Sequence, residues 1–350
     1  MTDETISRRR FLEGVGTTAA GFAAFAAVNP RLASSAMASE RATAASLGNA
    51  TLAFSWLLNI QQAGSYIAQT KGYYKPLNVS FLPGGDSYAG EPLVMAGRAL
   101  CAETDPTSTA AANNQGAKCV IVGAQYQVNP FCVMSLKKDL KLTHPHDLMG
   151  KKVGYGPNMG ISWNAFLAVN GLKGKVTNVL TSRDASILTS GDVDAYVGWV
   201  TSDVLGLVAN GQPVDYLLFG DWGLKLYDLT YCVAKSALKD KTKRAQIIAL
   251  LKGEIRGWEE EIKNPAEGLS LTMNNYGKHL GLNRSVQKAQ GLEQFNLIQS
   301  PTTKKHGLFW MSPSDIAKVV ESFNKCKIPT KASLFDNSLL EEIYAGRSSL

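Results

Sequence analysis

The sequence predicts an α/β fold arranged in two compact parts, and three observations carry that expectation. From Thr51 onward, short apolar strands alternate with amphipathic helical stretches, the order that builds a largely parallel sheet. The alternation runs twice, before and after a boundary near Leu136, and gives way after Ala234 to helices almost throughout. At 350 residues the chain also exceeds the roughly 250–300 at which a single core stops growing.

The first strand is expected over residues 51–56. Ile60, Ala63, Gly64, Ile67 and Ala68 then recur at i, i+3, i+4, i+7 and i+8, one apolar face of a helix over 60–72. Segments 77–82, 98–102 and 119–124 read as further strands, with helices near 89–97 and 107–116. In the second cluster, 152–155, 176–180, 194–197 and 214–219 are strand-like, and 161–170, 185–190 and 201–210 helical. Ser312-Pro313-Ser314-Asp315 is a helix start, with a Ser cap, Pro at the first position and an acidic first turn. Ile316, Val319, Val320 and Phe323 form that helix's apolar face. Segments 130–136 and 228–234 are the expected two crossings of one hinge. In such sheets ligands sit at the carboxyl ends of strands, in a crevice between structural units.

The front of the chain reads as an export signal. Arg8-Arg9-Arg10-Phe11-Leu12 precedes a mild apolar Gly/Ala run, and Ala36-Met37-Ala38 supplies a small-residue cleavage pattern before Ser39. The paired arginines followed by Phe-Leu are similar to the twin-arginine signal, which exports folded proteins. The expected division is therefore a signal peptide at 1–38, one lobe from 50–133 and 233–350, and a second from 134–232. The first Cys is Cys101, far from the cleavage point, so no lipid anchor is expected and the mature chain should be a soluble periplasmic protein. Five Cys in an oxidising compartment leave at least one unpaired. Cys132 and Cys232 pair if their strands adjoin and are otherwise two buried thiols.

Composition removes several classes. With 45% hydrophobic and 19% charged residues the chain is globular, and a polytopic membrane protein is excluded because no apolar run approaches the roughly 18–20 residues of a span. The net charge of +7 is spread among acidic residues instead of clustered on one face, so nucleic acid is not an expected partner. The sequence has no G-x-S-x-G elbow, P-loop lysine motif or G-x-G-x-x-G after a strand. His144-Pro145-His146 could ligate a metal, but no Cys or paired carboxylates accompany it, and a helix-start turn is the plainer alternative. No catalytic residue, metal or cofactor is expected.

Binding residues are better represented. Trp56 and Asn59 follow the first strand, with Gln62 on the next helix, and Gln125 follows the 119–124 strand. Asn158, Ser162 and Trp163 lie at a helix start, Trp199 and Thr201 follow another strand, and Asp221-Trp222 follows a fifth. Tyr88 and Asp105 complete the candidate set. Aromatic faces stack on planar ligands while amides and carboxylates fix orientation, which points to a small-molecule cleft.

Trp56-x-x-Asn59-x-Gln62-x-Gly64-x-Tyr66-x-Ala68-x-x-Lys71-Gly72-Tyr73-Tyr74, then Asn78-Val79 and Pro83-Gly84-Gly85, resembles the opening of ABC-importer substrate-binding proteins. The group it resembles handles nitrate, sulfonates, taurine and thiamine-precursor pyrimidines. Asp147-Leu148-Met149-Gly150-Lys151-Lys152-Val153-Gly154, Ser190-Gly191-Asp192-Val193-Asp194-Ala195, Gly257-Trp258 and Asn264-Pro265-Ala266-Glu267 continue the likeness in order through nearly the whole mature chain. Trp56-x-x-Asn59 and Asp221-Trp222-Gly223-x-x-x-Tyr227 look most like the thiamine-pyrimidine binders. The resemblance implies a two-lobed, type II-like periplasmic binding fold with two hinge crossings, acting as a monomer. It implies no chemistry, only solute capture and delivery to a membrane permease and its ATPase. Two positions depart from the pattern: Gln62 stands where His is usual, and Ser202-Asp203 where an Asn-Glu pair is usual. The Cys-rich motif of pyrimidine-making enzymes that share the fold is missing. The expected ligand is a planar nitrogen heteroaromatic. The alternative is a small anion (a sulfonate, nitrate or carboxylate) held by the amides of Gly160-Ile161-Ser162 with Arg183 or Arg98.

Overall fold

The computed structural model describes residues 46–350 apart from Asp86, Ser87 and Arg183, and describes Asn158 without its side chain. The expected twin-arginine signal and its cleavage point before Ser39 lie outside the described residues. The elements in the first part of the chain are β1 (Asn49–Ala53), α1 (Ala63–Lys71), β2 (Asn78–Leu82), α2 (Gly90–Met95), β3 (Cys101–Thr104), α3 (Pro106–Asn114) and β4 (Cys119–Tyr126). There follow β5 (Phe131–Leu136), β6 (Lys152–Tyr155), α4 (Gly160–Val169), β7 (Thr177–Leu180), α5 (Ile187–Ser190), β8 (Ala195–Trp199), α6 (Leu205–Ala209) and β9 (Val214–Leu218). The last part holds β10 (Asp228–Ala234), α7 (Lys241–Lys263), α8 (Pro265–Leu271), α9 (Arg284–Ile298), α10 (Pro301–His306), α11 (Pro313–Lys325) and α12 (Ser338–Tyr344).

Local chemistry explains the ends of these elements. Before α3, Asp105 accepts from the amides of Thr107 and Ser108, and Pro106 occupies the first helical position, where its missing N–H costs nothing. The same device opens α11, where Ser312 accepts from the Asp315 amide at 3.0 Å. His144 accepts from the His146 amide at 3.1 Å and so caps the short 3-10 turn Pro145–Leu148. That pair is a helix start, and no group of His, Cys, Asp and Glu among the described residues is arranged to hold a metal ion.

The strands form two sheets. The first has the order β2-β1-β3-β10-β4, with β1 parallel to β2 and β3, and β10 antiparallel to β3 and β4. The second has the order β7-β6-β8-β5-β9, with β6 parallel to β7 and β8, and β5 antiparallel to β8 and β9. The chain passes between the sheets twice, through residues 127–130 and 219–227. All of β5 therefore belongs to the second sheet and all of β10 to the first. The changeovers fall a few residues before the boundaries at 134 and 233 expected from sequence. The same fact separates Cys132 from Cys232, since they sit in different sheets and their strands do not pair. All five Cys are buried free thiols, and the thiol partnered with Cys232 is that of Cys119 on the neighbouring strand.

The helical tail fastens to the first sheet. α7 lies against α1 so closely that a Cβ at Gly257 would stand 2.0 Å from the Gly64 carbonyl oxygen, and one at Gly64 would stand 2.4 Å from the Trp258 ring. Farther on, the amides of Ala124 and Gln127 donate to the Phe309 and Leu297 carbonyls, and the Asp336 amide donates to the Ile121 carbonyl. No described helix is long and apolar enough to cross a membrane.

Because the Gly64–Gly257 approach is backbone against helix, neither side can give way without moving an element. Gly257→Ala is expected to lower the unfolding free energy by about 1–3 kcal/mol, the usual range for overpacking, read as an earlier midpoint in urea. An unchanged midpoint would mean that the two helices do not meet as closely as described.

Candidate functional site

The cleft that joins the two sheets is built from strand ends. Ser55 and Trp56 follow β1, Thr104 and Asp105 close β3, and Asp228 opens β10. From the second sheet come Phe131 at the start of β5, Trp199 at the end of β8 and Met159 just before α4. Tyr88, Glu91 and Ser108 complete the wall on the side of the first sheet. Four aromatic rings thus face one space, with Trp199 at 5.9 Å from Phe131 between centroids. The cavity left among them is about 80 Å³.

Four of the residues singled out from sequence line this cleft: Trp56, Tyr88, Asp105 and Trp199. Tyr88 spends its hydroxyl on the Ala53 and Glu103 carbonyls, at 3.1 and 2.8 Å, so it offers the cleft its ring and not a donor. Trp199 is only 6% exposed, and its amide donates to Asp203 Oδ2 at 2.7 Å, which fixes the turn leaving β8.

The others lie elsewhere, each for a physical reason. Asn59 is buried and caps the 3-10 turn Ile60–Gln62 through the Gln61 amide. Gln62 is fully buried, with its amide 3.5 Å from Glu103 Oε2. Gln125 accepts from the Tyr231 hydroxyl at 3.3 Å inside the first sheet's core. Ser162 meets Thr107 at 3.4 Å and ties α4 to α3. Trp163 is wholly buried, donates to Asn178 Oδ1 at 2.7 Å and stacks on Phe166 and Phe219. Thr201 is buried in the wide helical turn Val200–Val204. Asp221 is exposed and borders a separate groove with Lys225 and Asp315. Trp222 sits edge-on against His144, 4.6 Å between ring centres. The side chain of Asn158 and all of Arg183 are outside the described residues. Arg98 precedes β3, at the opposite end of that strand from the cleft.

Sequence reasoning missed Glu91 and Asp228, which line the cleft, and Glu103, which lies behind it. Glu91 is 5% exposed, and its Oε1 accepts from the Thr104 and Thr109 hydroxyls at 2.5 and 2.8 Å. Burial pushes its carboxyl above the ordinary range. Asp228 Oδ1 accepts from the Leu229 amide at 2.6 Å. Glu103 is fully buried; its Oε2 accepts from the Ser55 amide at 3.2 Å, while Oε1 finds no partner among the described residues. Burial, reinforced by nearby Glu254, drives the Glu103 carboxyl up to about 8. If the Gln62 amide is turned over, its nitrogen donates to the Asn59 and Leu57 carbonyls at 3.3 and 3.2 Å. Its oxygen then faces Glu103, an arrangement suited to a protonated carboxyl. Acidic residues next to a helix start (Gly90-Glu91-Pro92) or alone in an apolar strand were the available signals.

The NMT1/THI5 like family matches residues 59–268. Riboflavin-binding protein RibY of Chloroflexus aurantiacus is 25% identical over 276 residues, covering 75% of this chain and 76% of that protein. Among solved structures, the alkanesulfonate-binding protein SsuA from Xanthomonas axonopodis pv. citri, bound to MOPS, superposes with a TM-score of 0.60 at 14% identity, covering 83% of this chain and 97% of that one. The periplasmic aliphatic sulphonate-binding protein SsuA from Escherichia coli gives 0.60 at 16% identity, covering 81% and 89%. These likenesses establish a shared fold.

The state of Glu103 has a consequence for stability. Between the ordinary glutamate range and about 8, the folded chain holds a proton on this carboxyl that the unfolded chain has released. Folding therefore takes up protons in that window, and stability falls as pH rises through it. For one such group the loss is on the order of 3 kcal/mol from pH 5 to 8. Glu103→Gln should lessen that slope by about one group's share in urea unfolding measured at both pH values, the rest coming from other raised carboxyls such as Glu261. An undiminished slope would show that Glu103 carries none of it.

Proposed function

The chain belongs to the NMT1/THI5-like family of ABC-importer substrate-binding proteins, and from that premise we propose that it captures a small ring-bearing solute outside the cytoplasm and delivers it to a membrane permease and its ATPase. Capture is by closure of two lobes, one built on each sheet, with the segments at 127–130 and 219–227 as hinges. No bond is made or broken in the ligand. Export by the twin-arginine route, a periplasmic location and a monomeric state belong to the same proposal.

The observation that carries it is the convergence of Trp56, Tyr88, Phe131 and Trp199 at one cleft, two rings from each sheet. Rings on opposite walls can hold a planar ligand by its faces only when the lobes are shut, which makes binding and closure a single event. RibY is named as a riboflavin binder, and a pyrimidine or flavin ring suits such a clamp. An organic anion such as a sulfonate is the competing class, since the SsuA proteins of the same fold are named for it.

Titrating the mature chain with riboflavin and with 4-aminopyrimidines, followed by tryptophan fluorescence, tests this. Removing a stacked ring costs roughly 1–3 kcal/mol, so Trp199→Ala should weaken binding about tenfold or more. Trp222→Ala, whose ring lies outside the cleft, should leave affinity within about twofold. The opposite ranking would move the site away from this cleft to the surface where Trp222 meets His144.

A further inference from the structure

Resting on that reading of the cleft, we infer that its ligand presents a positively charged nitrogen (an ammonium, amidinium or ring-protonated amine) and that the cleft discriminates against organic anions. Three independent features of the site point the same way.

The first is the charge of the wall. Among the described residues the lining contains three carboxylates, Glu91, Asp105 and Asp228, and no Lys, Arg or His. Anions are ordinarily gripped by guanidinium forks or ammonium groups, and none lines the cleft among the described residues.

The second is how two of the three helix starts at the cleft, those of α3 and α4, are used; the third, α2, carries Glu91 in its own first turn. Amides at a helix N-terminus form a ready anion site. At α3 that site is already filled by the protein's own carboxylate. Asp105 Oδ1 accepts from Thr107 and Ser108 amides at 2.8 and 3.0 Å, and Oδ2 accepts from the Ser108 hydroxyl at 2.5 Å. At α4 the preceding 3-10 turn runs straight into the helix, and the Met159 and Gly160 amides donate to the Gly156 and Pro157 carbonyls. A sulfonate arriving here would meet a carboxylate at the start of α3 and, at α4, two amides that are already bonded.

The third is Glu91. It is 95% buried, lines the cleft, and its two hydroxyl partners both fall on Oε1, so Oε2 accepts from no other residue among the described ones. Beyond these hydroxyls its carboxylate has only its own backbone amide as a donor, which leaves room for a ligand N–H⁺ to pair with it. The surrounding rings of Trp56, Tyr88, Phe131 and Trp199 favour the same ligand, because aromatic faces attract cations when water is excluded.

Three probes of one shape separate charge from ring. Benzamidinium, benzamide and benzenesulfonate share a phenyl ring and differ in the charge of its substituent. Isothermal titration of the mature wild-type chain at neutral pH should rank benzamidinium at least tenfold tighter than benzamide, with benzenesulfonate weakest. Glu91→Gln and Asp228→Asn should each shrink the benzamidinium-to-benzamide ratio severalfold, and the wild-type ranking stands as a test even if a variant fails to fold. Benzenesulfonate binding as tightly as benzamidinium, or an absence of binding by all three at millimolar concentration, would overturn the inference. Trp199→Ala should weaken all three alike; a retained cation preference with no effect of Trp199→Ala would instead sink the ring-clamp reading and leave the charge preference standing.

Discussion

Strand β10 enters the first sheet between β3 and β4, so the facing edges of those two strands stay unpaired until the chain has returned from the second sheet. Thr230 then stands opposite Thr104, and Ala234 opposite Cys119. Unpaired backbone groups in the middle of a sheet are expensive to bury. The first sheet is consequently complete only once β5 to β9 have been traversed, and contacts this distant in sequence form late and slowly. β5 plays the matching part in the second sheet, antiparallel between β8 and β9. Each insertion begins at the cleft: Phe131 is the first residue of β5, and Asp228 the first residue of β10. The site is thus where the two crossing segments end.

The same strand carries a buried polar network that binds the helical tail to the sheet. Tyr231 of β10 donates to Glu254 of α7 at 2.8 Å, and Ser65 of α1 donates to the same carboxylate at 2.8 Å; Tyr74 adds a third hydroxyl. Three donors offset much of the cost of burying Glu254, although burial still raises its carboxyl above the ordinary range. Glu261, three residues past Trp258 on α7, is reached by no hydroxyl and only weakly by the Gly268 amide, and burial drives it up to about 8. A buried carboxyl with so few donors gains by keeping its proton. The interior therefore holds some acids as hydrogen-bonded groups and others as neutral ones, and the difference is set by how many hydroxyls reach them.

Much of the architecture is legible along the chain, and the departures have identifiable causes. Segment 152–155 is a strand as its pattern predicts, and the Ser312 cap starts α11 where capping chemistry places it. The strand expected at 98–102 begins instead at Cys101, because the Arg98 and Ala99 amides bond back to the Leu93 carbonyl around the left-handed turn at Gly97. The strand expected to end at Trp56 stops at Ala53, and the chain folds over so that the Trp56 carbonyl accepts from the Gly84 amide. Trp163 stands at a helix start like a ligand platform, yet its stacking partner Phe219 lies across the second part of the chain and draws it into the core. Local pattern cannot see such a partner. Nor can it see that residues 91, 105 and 228 meet, since only the insertion of β10 brings them to one wall.

A shared fold leaves the sign of the ligand's charge open, because fold fixes where strand ends meet while the side chains at those ends decide what they hold. Helix starts pointing into a cleft are neutral ground in this respect: bare amides make an anion site, and the same amides capped by a carboxylate make an acidic one. At α3 one residue decides between the two. With Asp105 at the cap, both of the helix's first available amides are spent inside the protein, and the carboxylate's charge stays at the edge of the cavity. Glu91, anchored by two threonine hydroxyls on its far oxygen, adds a second negative group held in place by the protein itself. Preorganised charge of this kind needs no rearrangement when a ligand arrives, so it contributes directly to selectivity. The acidic character of the cleft follows from the cap of α3, the first turn of α2 and the first residue of β10, three short stretches on the same framework that in other chains carries sulfonate-binding sites.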